Sequence, residues 1–141
     1  MENKMRDRES KTPDKAILCV DDEVIILLSI IQELKKAFGD RFVYEQAIDA
    51  PSAYSAIDNL AREGIRVILI ISDWLMPGIR GDKFIGIVGE RHPEIKVIMI
   101  TGQADGAALE RIRKSESVIG ILGKPWNPAE LADIIRRNVD G

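Results

Sequence analysis

The sequence predicts an α/β fold, a parallel β-sheet with helices on both faces. Three observations carry this. Five short runs read as buried strands, and they alternate along the chain with five stretches of helical spacing. The third run is apolar throughout, which suits a central strand covered on both sides. The crossovers between such strands are expected to be right-handed.

Taken in order, residues 16–20 (AILCV) form the first strand. Leu27, Ile30, Ile31, Leu34 and Phe38 then recur at helical spacing, and Gly39 ends that helix. Residues 41–48 (RFVYEQAI) make a second, more polar strand nearer an edge, and residues 51–63 (PSAYSAIDNLARE) a second helix closed by Gly64. Residues 66–72 (RVILIIS) are the third strand. Residues 82–92 (DKFIGIVGERH) give a weaker third helix, whose Gly86 and Gly89 either allow close packing or simply weaken it. A fourth strand over 95–101 (IKVIMIT), a fourth helix over 105–115 (DGAALERIRKS) and a fifth strand over 117–123 (SVIGILG) follow. The last helix has a clear start: Asn127 can cap, Pro128 suits the first helical position, and Glu130 lies three residues after the cap. Leu131, Ile134 and Ile135 supply its apolar face.

A chain of 141 residues, 45% hydrophobic and 30% charged, suits one globular domain with its own core. A net charge of −3 with no basic cluster argues against direct nucleic-acid binding. No apolar run is long enough to span a membrane. The polar, charged N-terminus has no apolar signal core, so a cytoplasmic location is expected. Residues 1–14 read as a disordered leader or an expression remnant, and residues 15–141 as the folded domain. Cys19 has no second cysteine to pair with, and His92 is the one histidine, so Cys19 reads as a core residue and not as a metal ligand.

Polar residues gather where strands end. Asp21, Asp22 and Glu23 follow the first strand, Asp73 follows the third, Thr101 ends the fourth, and Lys124, then Pro125, follows the fifth. The second strand delivers nothing that stands out, although Asp49 follows it closely. Singly, these are ordinary: an Asp after a strand is often a helix cap, a Lys before Pro a surface residue, a Thr a β-branched strand residue. Together they put acids, a hydroxyl and one cation on the rim where open α/β sheets bind ligands. Two carboxylates 4 Å apart repel by roughly 4 kcal/mol at an effective dielectric near 20. A hard divalent cation relieves this, and carboxylates plus water suit Mg²⁺. Mg²⁺, a lysine and a hydroxyl cradle phosphoryl oxygens, and an aspartate among them can become an acyl phosphate.

On ILCVDDE (17–23), LIISDWLMPGIRG (69–81), VIMITG (97–102) and GILGKPW (120–126), the chain resembles a response-regulator receiver domain of two-component signalling. The four motifs come in the family's order, and the resemblance covers about residues 15–139. It implies a doubly wound, flavodoxin-like sheet of strand order 2-1-3-4-5. It makes Asp73 the phosphoacceptor. The metal ligands would be Asp22 directly, Asp21 largely through water, Asp73 itself and the backbone carbonyl of Leu75. Thr101 would donate to the phosphoryl group and move towards it, and Lys124 would pair with Asp73 or its phosphate. The Lys124–Pro125 bond is expected to be cis. The donor would be a phosphohistidine on a sensor histidine kinase or a phosphotransfer protein. The domain would catalyse only its own phosphorylation and dephosphorylation, so it is expected to be a switch and not an enzyme. Its response would spread over the fourth helix, fifth strand and fifth helix, a face open to an effector domain or a homodimer.

Three positions depart from the family pattern. Ile121 stands three residues before the lysine, where many members carry an aromatic switch. Leu75, two residues after Asp73, replaces a residue that is often polar, and is expected to lengthen the life of the phospho-form. Trp74 follows the acceptor, where plain packing or partial exposure is the ordinary reading, and Trp126 lies either near the site or on the output face. Arg111, Arg113, Lys114, Arg136 and Arg137 form either a solvated helix face or a partner surface. Rival functions are a receiver that takes no phosphate and serves as an interaction module, a phosphorelay intermediate, and a haloacid-dehalogenase-type phosphatase. The phosphatase needs a second acid where Leu75 stands. A flavin-binding protein of similar topology would need a Ser/Thr/Gly-rich phosphate loop where this chain has DDEV.

Overall fold

The computed structural model describes residues 13–102 and 106–139. Along the chain come β1 (Lys15–Val20), α1 (Val24–Phe38), β2 (Val43–Ala47), α2 (Ala50–Arg62), β3 (Arg66–Asp73), α3 (Gly81–Arg91), β4 (Lys96–Thr101), α4 (Gly106–Arg113), β5 (Val118–Gly123) and α5 (Pro128–Asn138). The five strands pair in parallel in the order β2-β1-β3-β4-β5, as expected. The order reverses beside β1, so the crevice lies at the carboxyl ends of β1 and β3.

Two apolar clusters cover the sheet. Ala16, Leu18, Val20, Val67 and Ile70 pack with α2, α3 and Ile112 of α4 on one face. Ile17, Cys19, Leu69, Ile71, Ile98 and Ile100 pack with α1 and α5 on the other. Alternate residues of β1, and of β3 from Leu69 to Ile71 beyond a break in register, thus bury on opposite faces, which is why these strands read as unbroken apolar runs. Cys19 is a fully buried core residue. No helix among the described residues is long and apolar enough to cross a membrane.

Local differences from the sequence reading have physical causes. The second strand begins at Val43 because Gly39–Arg41 form a 3₁₀ turn and Phe42 is buried edge-on to Phe38, ring centroids 5.7 Å apart. α2 begins at Ala50 because Asp49 and Ser52 make a reciprocal capping box, Asp49 accepting the Ser52 N–H at 2.8 Å. Asp49 is therefore a cap, not part of the rim site. Between β3 and α3, Leu75–Met76 and Ile79–Arg80 form a small antiparallel hairpin turned by Pro77-Gly78, with Gly78 at φ 81°, the pairing a type II turn prefers. Gly86 and Gly89 have open space where a Cβ would sit, so they ease no close packing and only weaken α3. The close approach is at Gly81, where a Cβ would lie 2.5 Å from Met99 Cε and 3.0 Å from Trp74 Cε3.

The leader expected over residues 1–14 lies outside the described residues except for Pro13 and Asp14, whose carbonyl accepts the Arg66 N–H at 2.8 Å. The expected start of the fourth helix at residue 105 also lies outside them.

Candidate functional site

Strand register assembles the site. Val20 pairs with Ser72, so Asp21 and Asp73 leave the sheet side by side, and Thr101 pairs with Gly123, which brings Lys124 to the same edge. The Lys124 N–H donates to the Thr101 carbonyl at 3.0 Å, and the Lys124–Pro125 bond is cis.

Asp21 and Asp73 are buried, 2% and 7% exposed, whereas Asp22 is exposed. The three offer carboxylate oxygens within 4.8 Å of one another. Lys124 Nζ lies 3.2 Å from Asp21 Oδ2 and 3.2 Å from Asp73 Oδ1. The other Asp21 oxygen, Oδ1, accepts the Glu23 N–H at 2.8 Å. Burial lifts the Asp73 carboxyl above its usual pKa and the Asp21 charge adds to the rise, while the Lys124 ammonium and the Leu75 N–H pull it down. For Lys124, burial disfavours the charge, but the Asp73 and Asp21 carboxylates outweigh it and its pKa is raised.

An open pocket of about 620 Å³ lies over these groups, walled by Asp22, Asp73, Leu75, Met76, Pro77 and Lys124 among others, with Gly102 at its border. Thr101 Oγ1 is buried and has no hydrogen-bond partner among the described residues. The clustered acids offer only oxygen ligands, and three carboxylates opposed by one lysine leave negative charge to neutralise. These residues fit a hard divalent cation better than a soft one.

Asp21, Asp22, Asp73, Thr101 and Lys124 therefore come together as the sequence predicts, and Leu75 lines the pocket with its side chain exposed. The lysine pairs with both buried acids rather than with Asp73 alone. Trp74 is buried in the α2–α4 cluster, the ordinary packing reading. Ile121 is half-buried against that cluster. Trp126 lies beside Lys124 against α1, its indole N–H donating to Glu33 Oε1 at 2.7 Å. Nothing in the sequence announces that bond, because its partners stand 93 residues apart.

Three of the basic residues of α4 and α5 find polar partners on their own helix. Arg113 pairs with Glu110 and Arg136 with Asp133, each within its own helix, and Arg137 donates to the Asp133 carbonyl. Arg111 instead crosses to α3, 3.1 Å from Asp82 Oδ2, where Arg80 also binds at 3.0 Å. No local pattern announces that cluster, since Asp82 and Arg111 stand 29 residues apart.

Comparison with known proteins agrees with the geometry. The hydrogenase transcriptional regulatory protein HoxA of Cupriavidus necator is 32% identical over 124 residues, 88% of this chain and 24% of that protein. The sensor kinase CckA of Brucella abortus is 24% identical over 139 residues, 99% of this chain and 14% of that protein. The chain thus spans a quarter or less of the length of these relatives. Among solved structures, a CheY-like response regulator receiver domain protein from Methanospirillum hungatei superposes with a TM-score of 0.75 at 27% identity, covering 87% of this chain and 91% of that one. The sequence pattern of the response regulator receiver domain matches residues 17–136 in one stretch. With that much of the chain accounted for, the protein belongs to the response regulator receiver domain family.

Proposed function

We propose that this domain takes a phosphoryl group from a phosphohistidine onto Asp73 and that the transfer requires Mg²⁺. The observation that carries the reading is the ammonium of Lys124 set 3.2 Å from both Asp21 and Asp73, with Asp22 completing the acid trio. Asp22, exposed at the pocket, would bind the ion directly. Asp21 has its two oxygens engaged by Lys124 and the Glu23 N–H, which favours contact through water. Asp73 and the Leu75 carbonyl would complete the protein's share. When bound, the ion supplies neutralisation of phosphoryl oxygens.

An Asp73 oxygen attacks phosphorus. The new P–O bond forms as the P–N bond to histidine breaks, and the imidazole nitrogen keeps that electron pair. Lys124 holds the charge gathering on the phosphoryl oxygens. The unpartnered Thr101 hydroxyl is available to donate to them. Exposed Val24, Ile25 and Leu28 on the first turns of α1, with Leu75 across the pocket mouth, suit docking of a protein donor, a sensor histidine kinase or phosphotransfer protein. The domain catalyses only its own modification and its hydrolysis. The added charge then biases the α4–β5–α5 face between two conformations, for an effector domain or a second copy to read.

Incubation with acetyl phosphate and Mg²⁺, followed by intact mass, tests this. One added phosphoryl group is expected, absent in Asp73→Asn. No uptake from any donor would leave the interaction-module reading in its place.

A further inference from the structure

We propose that Glu33 is a positioning residue for this transfer, acting through Trp126 to hold Lys124 between Asp21 and Asp73; the inference rests on the phosphotransfer reading above. A lysine side chain has four flexible carbons, so where its ammonium rests depends on how firmly its backbone is held. On one side the hold is direct, the Lys124 N–H on the Thr101 carbonyl at 3.0 Å. On the other side Pro125 has no N–H to give. The backbone is secured again at Asn127, whose carbonyl accepts the Leu131 N–H and whose side chain accepts the Ala129 N–H. Between these points a notch separates α1 from the segment, lined by Ile26, Ser29, Glu33, Lys124, Pro125 and Trp126.

The indole–carboxylate bond joins the two sides of that notch. At 2.7 Å it is short, and its acceptor is a carboxylate, which makes it one of the stronger hydrogen bonds available to a neutral donor. Its choice of helix matters. α1 begins at Val24, directly after Asp21, Asp22 and Glu23. Tying the lysine's segment to α1 therefore ties the cation to the element that directly follows two of the three acids. The same bond could serve stability alone, so the test must read the chemistry.

The rate of Asp73 phosphorylation by acetyl phosphate with Mg²⁺ is measured for wild type, Glu33→Leu, Glu33→Gln, Trp126→Phe and the Glu33→Leu/Trp126→Phe double variant. Loss of the bond from either side is expected to slow the reaction about tenfold. Glu33→Gln, which keeps an acceptor, recovers most of the rate. The double variant is no slower than either single one, because both remove one bond. In a Trp74→Phe background, Trp126 emission shifts to the red in Glu33→Leu but not in Glu33→Gln. A Glu33→Leu protein that reacts at the wild-type rate overturns the positioning role alone. So does a double variant whose loss is the product of the two single losses. A wild type that takes no phosphate overturns the phosphotransfer reading and this one with it.

Discussion

Asp73 is 7% exposed and Ser72 before it fully buried, so the carboxylate proposed above as the acceptor reaches the rim with little room to turn. Two residues on, the Leu75 N–H helps to lower the pKa of that carboxylate, while the residue is 59% exposed at the pocket mouth. An aliphatic group there offers an attacking water no hydrogen bond. Leu75→Asn is expected to shorten the life of the phospho-form about tenfold, the scale of better water placement, as timed by loss of the phosphoryl mass. An unchanged or longer lifetime would count against it. Cys19 poses the opposite case. Burial pushes its thiol up to about 12, so almost no thiolate exists at pH 8. The native protein should not react with a thiol reagent at that pH, and the urea-unfolded protein should react fully. Both positions could be picked out in the sequence, Cys19 from its apolar neighbours and Leu75 from standing two residues after Asp73.

Elements owe their ends to local chemistry and their partners to distant residues. Asn127 caps α5 as its position predicts. The Asp49–Ser52 capping box was equally local but carries Ser where Glu or Gln is the usual signal. The link from α3 to α4 is different, since Asp82 and Arg111 lie 29 residues apart. Burial works against the Asp82 charge, but Arg80 and Arg111 outweigh it and lower its pKa. A folded pKa below the unfolded one contributes stability that is fully present above the unfolded value, near 3.8, and is lost as pH falls through the folded value. Both guanidinium side chains are 57% exposed, so solvent screening holds the effect to about 1 kcal/mol. Asp82→Asn should therefore lower the pH 7 melting temperature by about 2–5 °C. The gap to wild type should narrow progressively below pH 4, as thermal melts across that range would show. A gap that widened on acidification would contradict the sign.

At the scale of the molecule, a cation that binds only the folded acid trio adds to stability by mass action. At one hundred times its dissociation constant, Mg²⁺ should add about 2.7 kcal/mol, several degrees in melting temperature for a chain of this size. Asp22→Ala should remove most of that rise, and calorimetry with and without Mg²⁺ reads it directly. Trp74 directly follows Asp73 and is buried, so its emission should change with Mg²⁺ in wild type and stay constant in Asp22→Ala. A Mg²⁺-induced rise that persists unchanged in Asp22→Ala would place the ion elsewhere.

The strands, the helices and the residues at the rim were readable from the chain alone. Hydrophobic runs and caps are short-range signals, and a parallel sheet with single-sense crossovers has one edge to which strand ends can deliver charge. That is why Asp21, Asp22, Asp73, Thr101 and Lys124 could be set together in advance, with the four motifs supplying their expected roles. Only the tertiary structure decided that Lys124 bridges two carboxylates, that Trp126 turns to Glu33, and that Arg111 leaves the basic face for Asp82. Each of these depends on where long, flexible side chains come to rest between elements. That is set by distances of a few ångströms across the packed molecule, and no local pattern along the chain records them.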